Sequence, residues 1–253
     1  MQYQILGETM PAVRILLDAG ESVYTQSGGM TYMQDGITME TNMRGGMLGG
    51  LGRLFTGESL FMATFRANRP AQELLISSTM PGSILPLPLD GRMEYICQKQ
   101  SFLCATQGVE LSAYAQFGSG GFLGGEGLVM QKLSGQGMAF LELAFRESAV
   151  AQIGRRAAVL NGLIVNPLVD FFGGHARRNA PGETLRVSTG HVALYEATVS
   201  YRAEMVKGFK NILFGGEGLF LTVLEGPGKV WVQSMCVAEF AAKMIPYIPS
   251  SRN

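Results

Sequence analysis

The chain has 253 residues, with 34 Gly, 20 basic and 20 acidic side chains, 2 His and 3 Cys, and 47% of it is hydrophobic. That hydrophobic share excludes a disordered chain, and the glycines follow no Gly-X-Y period, which excludes collagen. A formal net charge of zero removes the general attraction to phosphate on which nucleic-acid binding draws, so nucleic acid is not an expected partner. Gly makes up about 13% of the chain, nearly twice the usual share of roughly 7%. A Gly-rich, apolar, weakly charged chain implies many tight turns between short strands, and the expected class is all-β.

Taken in chain order, the turn Leu17-Asp-Ala-Gly-Glu21 leads into a strand over Val23 to Gln26, and a new strand follows Gly29. Leu54 to Phe65 is an apolar strand, Arg66 to Gln72 a turn and Glu73 to Ser78 a second strand. Two apolar runs joined by a Gly- or Pro-bearing turn predict a β-hairpin. Phe102 to Thr106 is again a strand ending at a polar residue and Gly108; Phe122 to Leu133, the turn Ser134 to Gly137 and Met138 to Leu143 predict a second hairpin. After a long segment, the turn Asn179-Ala-Pro-Gly-Glu183 leads into a strand from Leu185, and Leu213 to Leu224, Glu225 to Gly228 and Lys229 to Ser234 predict a third hairpin. Val237 to Ile245 is the best helix, stopped by Pro246, and Arg146 to Leu160 is a second helix candidate.

The three hairpins align without gaps on Gly57-Glu58, Gly125-Glu126 and Gly216-Glu217, and upstream on Gly29, Gly108 and Gly190. Those three glycines lie 79 and 82 residues apart. The chain therefore reads as three copies of a β-sandwich or shortened double-stranded β-helix, packed about a pseudo-threefold axis that closes open edges. The expected divisions are 1–93, first copy; 94–145, second copy; 146–180, insertion; 181–235, third copy; 236–253, helix and tail.

The three Cys are odd in number and form no C-x-x-C pair, so neither a disulfide framework nor a zinc knuckle is expected. No secretory signal and no apolar run of ~20 residues is visible, and the expected compartment is the cytoplasm. The insertion is basic at its ends (Arg155-Arg156, Arg177-Arg178) and apolar between, with Leu163, Ile164, Leu168, Phe171 and Phe172. Residues 146–178 read as cover for the core or a subunit interface, and in the sharper reading as a docking segment for a protein or a membrane surface.

Catalytic signatures fail on spacing. Ser119 lacks the G-x-S-x-G frame, and Gly228-Lys229 is followed by Val with no Gly at the start of a phosphate loop. The most regular chemical feature is the set Glu58, Glu126 and Glu217, each after Gly at the start of a strand. Such a carboxylate commonly accepts turn N–H groups; acid–base work would need one of the three buried. His191 sits at a Gly turn and with a carboxylate could hold a metal, although two His fall short of the usual β-barrel triad. No catalytic, cofactor-binding or metal-binding residue is assigned, and no cofactor is expected.

The motifs Leu54-Phe-Thr-Gly-Glu-Ser-Leu-Phe, Gly124-Gly-Glu-Gly-Leu, Leu185-Arg-Val-Ser-Thr-Gly-His-Val and Gly215-Gly-Glu-Gly-Leu-Phe followed by Gly226-Pro-Gly-Lys-Val-Trp-Val-Gln-Ser234 resemble bacterial members of the family named for altered inheritance of mitochondria. These are also called TRAP-like, after the tryptophan RNA-binding attenuator protein. The resemblance covers roughly residues 3–235. It implies repeated β-sandwich or double-stranded β-helix units and assembly into oligomers such as trimers; it implies no activity. The segment 146–178 is longer than the family's pattern, and Ser188 stands where an acid is expected. Low charge and 15 Met also favour a homo-oligomer, through apolar edges that prefer burial. The first expectation is a non-enzymatic scaffold or binding module at a membrane or protein assembly. The alternatives are a small-molecule or metal-dependent enzyme in a β-barrel mouth, and an RNA-binding ring.

Overall fold

A computed structural model describes residues 1–26, 29–43, 61–115, 129–144, 159–160, 163–164, 176–179, 182–205 and 220–247. They are nearly all β, with antiparallel ladders and one C-terminal helix. The chain divides into two compact units, one formed from 1–116 and 129–146, the other from 117–128 and 147–253.

The first unit holds β1 (Gln2–Leu6), β2 (Ala12–Leu17), β3 (Ser22–Gln26), β4 (Met30–Met33), β5 (Ile37–Met43), β6 (Phe61–Ala67), β7 (Gln72–Ser77), β8 (Gly82–Asp90), β9 (Tyr95–Gln98), β10 (Phe102–Thr106), β11 (Val109–Ala115) and β12 (Val129–Ala144). One four-stranded sheet runs in the order β1-β2-β7-β4. In the other layer β5, β6, β3 and β10 are successive neighbours, and β10 is followed by β12. Strict alternation shapes these strands: in Ala12–Leu17 the residues Val13, Ile15 and Leu17 are fully buried while their neighbours are only partly so. A half-buried strand needs this period of two. Val13, Ile15, Leu74 and Ile76 from the first sheet meet Val23, Phe65, Leu103 and Phe140 from the other layer in one core.

The hairpin expectation is corrected. β6 does not pair with β7: β6 lies between β3 and β5, while β7 lies between β2 and β4. The turn between them carries the chain from one sheet to the other. Likewise β12 is one continuous strand of 16 residues with no separate turn at Ser134–Gly137. Its first half pairs with β9 and β11, its second half with β8 and β10. The switch falls at Gly135 (φ +89°) and Gly137 (φ +152°), backbone conformations that Gly adopts at little cost. A Cβ on Gly135 would stand 2.3 Å from the Gly108 carbonyl oxygen. β8, which falls in the span 1–93 expected for the first copy, pairs along its whole length with β12.

The second unit holds β13 (Val159–Leu160), β14 (Leu163–Ile164), β15 (Ala176–Asn179), β16 (Thr184–Ser188), β17 (Val192–Glu196), β18 (Ser200–Met205), β19 (Phe220–Glu225) and β20 (Gly228–Val232), then α1 (Val237–Met244). β20 lies between β15 and β17, and β19 between β16 and β18. The third predicted hairpin is thus also absent, since β19 and β20 belong to different ladders. β13 pairs with β14, so the last two residues of the candidate helix Arg146 to Leu160 are strand; the rest of it lies outside the described residues. α1 forms where expected, from good helix formers, and Pro246 lies in the short turn of 3-10 helix, Ile245–Tyr247, that follows. Among the described residues no helix is long and apolar enough to cross a membrane, which leaves membrane crossing by strands unaddressed.

Candidate functional site

The sequence candidates separate at once. Glu58, Glu126 and Glu217 lie outside the described residues, as does most of 146–178. His191 closes a three-residue turn, Thr189–His191, ahead of β17. Its carbonyl oxygen accepts the Gln233 backbone N–H at 2.8 Å, and the neighbouring Gly190 carbonyl accepts Gln233 Nε2 at 3.1 Å. The His191 Nδ1 is buried without a hydrogen-bond partner. Among the described residues no group of three metal-ligating side chains forms.

The first unit offers a better-formed place. A cavity of about 250 Å³ is lined by Thr25, Gln26, Gly29, Thr79, Lys99, Gln100, Phe102, Leu103 and Glu142. Gln26 at the end of β3 and Gly29 ahead of β4 meet the turn Lys99–Ser101, between β9 and β10, here. They come together because β3 and β10 pair, with Thr25 opposite Cys104. The Thr25 hydroxyl reinforces the junction by donating to the Leu103 carbonyl at 2.7 Å. Phe102 and Leu103 are each 3% exposed and give the cavity an apolar wall.

On the opposite side Glu142 is held in place. One carboxylate oxygen accepts the Thr79 backbone N–H and the Ser78 hydroxyl, and the other accepts the Thr79 hydroxyl, all at 2.8 Å. This carboxylate clamps the chain leaving β7 onto β12. The Gln26 carboxamide also lines the cavity, and its Nε2 is buried with no partner. An amide donor left unpaired in this way costs about 1–3 kcal/mol. No motif spacing marks these residues; the 72-residue step between the bulges at Met30 and Phe102 also separates Gln26 from Gln98 and Gly29 from Ser101.

Other reactive groups are engaged in the fold. Burial pushes the Cys97 thiol up to about 12 and raises Cys104 as well, so neither is a nucleophile near neutral pH. Glu196, 3% exposed, accepts the Lys229 backbone N–H at 2.9 Å. The same position in two other ladders is filled by Thr106, whose hydroxyl accepts the Met138 N–H at 3.0 Å, and by Gln34, whose side-chain oxygen accepts the Glu73 N–H at 2.8 Å. Each of these strands carries a bulge near its start, between Met30 and Tyr32, Phe102 and Cys104, and Val192 and Leu194.

The core face of the four-stranded sheet continues past its cover. Tyr3, Ile15, Leu74 and Met33 form one cross-strand row. Ile15 and Leu74 are fully buried, while Tyr3 and Met33, in the outer strands β1 and β4 of this sheet among the described residues, are 41% and 37% exposed. Ile5, at 36%, ends the next row.

Comparison with known proteins supplies the family. The profile described as "Mitochondrial biogenesis AIM24" matches residues 3–235. An uncharacterised protein of Streptococcus pyogenes serotype M6 is 26% identical over 251 residues, covering 96% of this chain and 89% of that protein. An X-ray crystal structure of a Streptococcus pyogenes protein superposes with a TM-score of 0.68 at 23% identity, over 98% of this chain and 99% of that one, a likeness of fold.

Proposed function

Because the chain belongs to the family described as Mitochondrial biogenesis AIM24, a description that names no reaction, we propose that it is a non-enzymatic scaffold or binding module that works as a homo-oligomer, with a trimer as the expected state. We read it as three copies of one six-stranded unit, β2-β3-β4-β5-β6-β7, β8-β9-β10-β11-β12 (its two halves serving as two strands) and β15 to β20. Support comes from the pairing pattern, in which the last strand of each copy lies between the first and third, and the fifth between the second and fourth. The bulges recur near the start of the third strand of each copy: 72 residues separate Met30 from Phe102 and 90 separate Phe102 from Val192.

The observation that carries the assembly is the pair of apolar rows whose buried centres run out into exposed Tyr3, Ile5 and Met33. Open sheet edges bearing large apolar groups are contact surfaces that proteins otherwise blunt with charge. A binding role rather than catalysis is supported by where the reactive groups go: thiols into the core, and Glu142 and Glu196 onto backbone N–H groups. Residues 146–178 are proposed as the docking segment toward a protein or membrane surface, in a cytoplasmic setting.

Sedimentation velocity tests this directly. The wild-type chain is expected to sediment as a trimer at micromolar concentration, and the double variant Tyr3→Lys with Ile5→Glu to dissociate while keeping its β-rich circular dichroism. A wild-type monomer, or a variant that assembles unchanged, overturns the assembly.

A further inference from the structure

We propose that β5 is a docking edge for a second copy of this chain: two β5 strands pair antiparallel across a symmetry axis at Met39 and join the sheets of two first units. The hydrogen-bond parity of the strand is the first support. In an antiparallel ladder, opposite residues alternate between pairs that bond each other and pairs whose N–H and C=O turn away. The Asn68 N–H donates to the Gly36 carbonyl at 2.8 Å, in step with the register Ile37↔Ala67 that follows. Thr38, Glu40 and Asn42 therefore bond inward to β6, and Ile37, Met39 and Thr41 turn outward. The Ile37 N–H closes on the Gln34 carbonyl at 3.0 Å, and among the described residues no strand pairs with Met39 or Thr41 on the outer side.

Another end strand shows what a closed edge looks like. Among the described residues β8 pairs only with β12, and the Gly82 N–H turns away from that ladder to the Thr9 carbonyl at 2.8 Å. Pro86 and Pro88 share this outward parity and have no N–H to offer, which blunts the edge. β5 holds no Pro, its register runs without a bulge, and Glu40 is its one charge.

Side chains select the occupant. Val23, Phe65 and Met39 form one row of the core face; the first two are buried, and Met39 is 44% exposed. With the axis at Met39, this side chain meets its own copy, Glu40 lies opposite Thr38, and Ile37 lies opposite Thr41. No like charges are opposed, whereas an axis at Glu40 would set two carboxylates against each other. The Thr38 hydroxyl accepts from Asn68 Nδ2, which leaves its proton for the incoming Glu40 carboxylate, a charge-assisted bond made twice by the symmetry. The contact is independent of the trimer: it joins trimers into a six-chain assembly, or single chains into a dimer. It involves far fewer residues than the ~20–30 a side of a standard interface, so its dissociation constant is expected on the order of 100 µM.

Cysteine trapping under mild oxidation at that concentration tests the contact, since the native Cys97, Cys104 and Cys236 are buried. Met39→Cys is expected to form a disulfide-linked pair about tenfold or more faster than Thr41→Cys, whose copies the register holds too far apart to bridge. In the unaltered chain the Met39 and Thr41 amides should exchange with solvent severalfold more slowly in concentrated than in dilute protein, which keeps the contact testable if a variant misfolds. Linking no faster through folded Met39→Cys than through Thr41→Cys, or Met39 and Thr41 amides whose exchange ignores concentration, would each overturn it.

Discussion

The ladders β10·β12 and β17·β20 make the same bulge at the same place and close it with different chemistry. In the first, the Thr106 hydroxyl accepts the Met138 N–H. In the second, a carboxylate, Glu196, accepts the Lys229 N–H while 3% exposed. The partner strands both carry a Gly at nearly the same φ one residue ahead of the donating N–H, +152° at Gly137 within β12 and +153° at Gly228 at the start of β20. Backbone geometry is thus held fixed while the side chain that satisfies it varies, so the acceptor is required at this position and its residue type is free. The ladder β4·β7 extends the comparison to an exposed site, where the amide Gln34 does the same work.

The largest expected effect lies in the backbone itself. Gly135→Ala would set a Cβ 2.3 Å from the Gly108 oxygen at φ +89°, and should cost about 3 kcal/mol or more in denaturant unfolding. Gly182→Ala, at φ +75° but in open space, should cost only the left-handed penalty of about 1–2 kcal/mol. Similar losses for the two would show that the close approach does not matter. Next come the acceptors. Glu196→Ala leaves the part-buried Lys229 N–H without its side-chain acceptor and should cost about 2–3 kcal/mol, against about 1 kcal/mol for Thr106→Val. Glu196→Gln, which keeps an acceptor oxygen, should recover most of the loss if the role is hydrogen bonding.

A third measurement uses pH. The Cys97 thiol is pushed up to about 12, above the ordinary value of about 8.5. Its contribution to stability is therefore complete below the ordinary value and is lost as pH rises toward about 12. Denaturant midpoints of wild type and Cys97→Ala compared across that window should converge upward in pH, and the native thiol should resist alkylation at pH 8. The smallest effect is Gln34→Ala, within about 0.5 kcal/mol because water can replace an exposed acceptor; a larger loss would break the ranking by burial.

Much of the secondary structure was legible because alternation and composition are local. Val237 to Ile245 reads as a helix from its residue types, and one forms over Val237–Met244; Phe102 to Thr106 reads as a strand and is one. Pairing was not legible from the same signals. β6 and β7 are apolar runs joined by a turn, which is also what a hairpin looks like, and only the distant partners β3, β5, β2 and β4 place them in different sheets. The likeness of Phe102–Thr106 to Val23–Gln26 has a similar origin. Phe102–Thr106 is as apolar as Val23–Gln26 and also ends in a polar residue before Gly, whereas its bulge, which identifies it, leaves no residue signature. The cavity stayed hidden for the same reason, since Gln26, Lys99 and Gln100 look like ordinary connection residues until β3 and β10 are seen side by side. Among the sequence candidates only His191 falls within the described residues.

Strand β12 has a consequence for how the first unit comes apart. Its 16 residues belong both to the ladders with β9 and β11 and to those with β8 and β10, with no loop between the halves to act as a hinge. Strain applied at Val129 therefore reaches Ala144 along one unbroken backbone, as tension passes along a taut cable. Amide hydrogens on the two sides of Gly135 should exchange with solvent at one common slow rate, set by a single opening event, whereas those of β6 and β7 are free to exchange at separate rates.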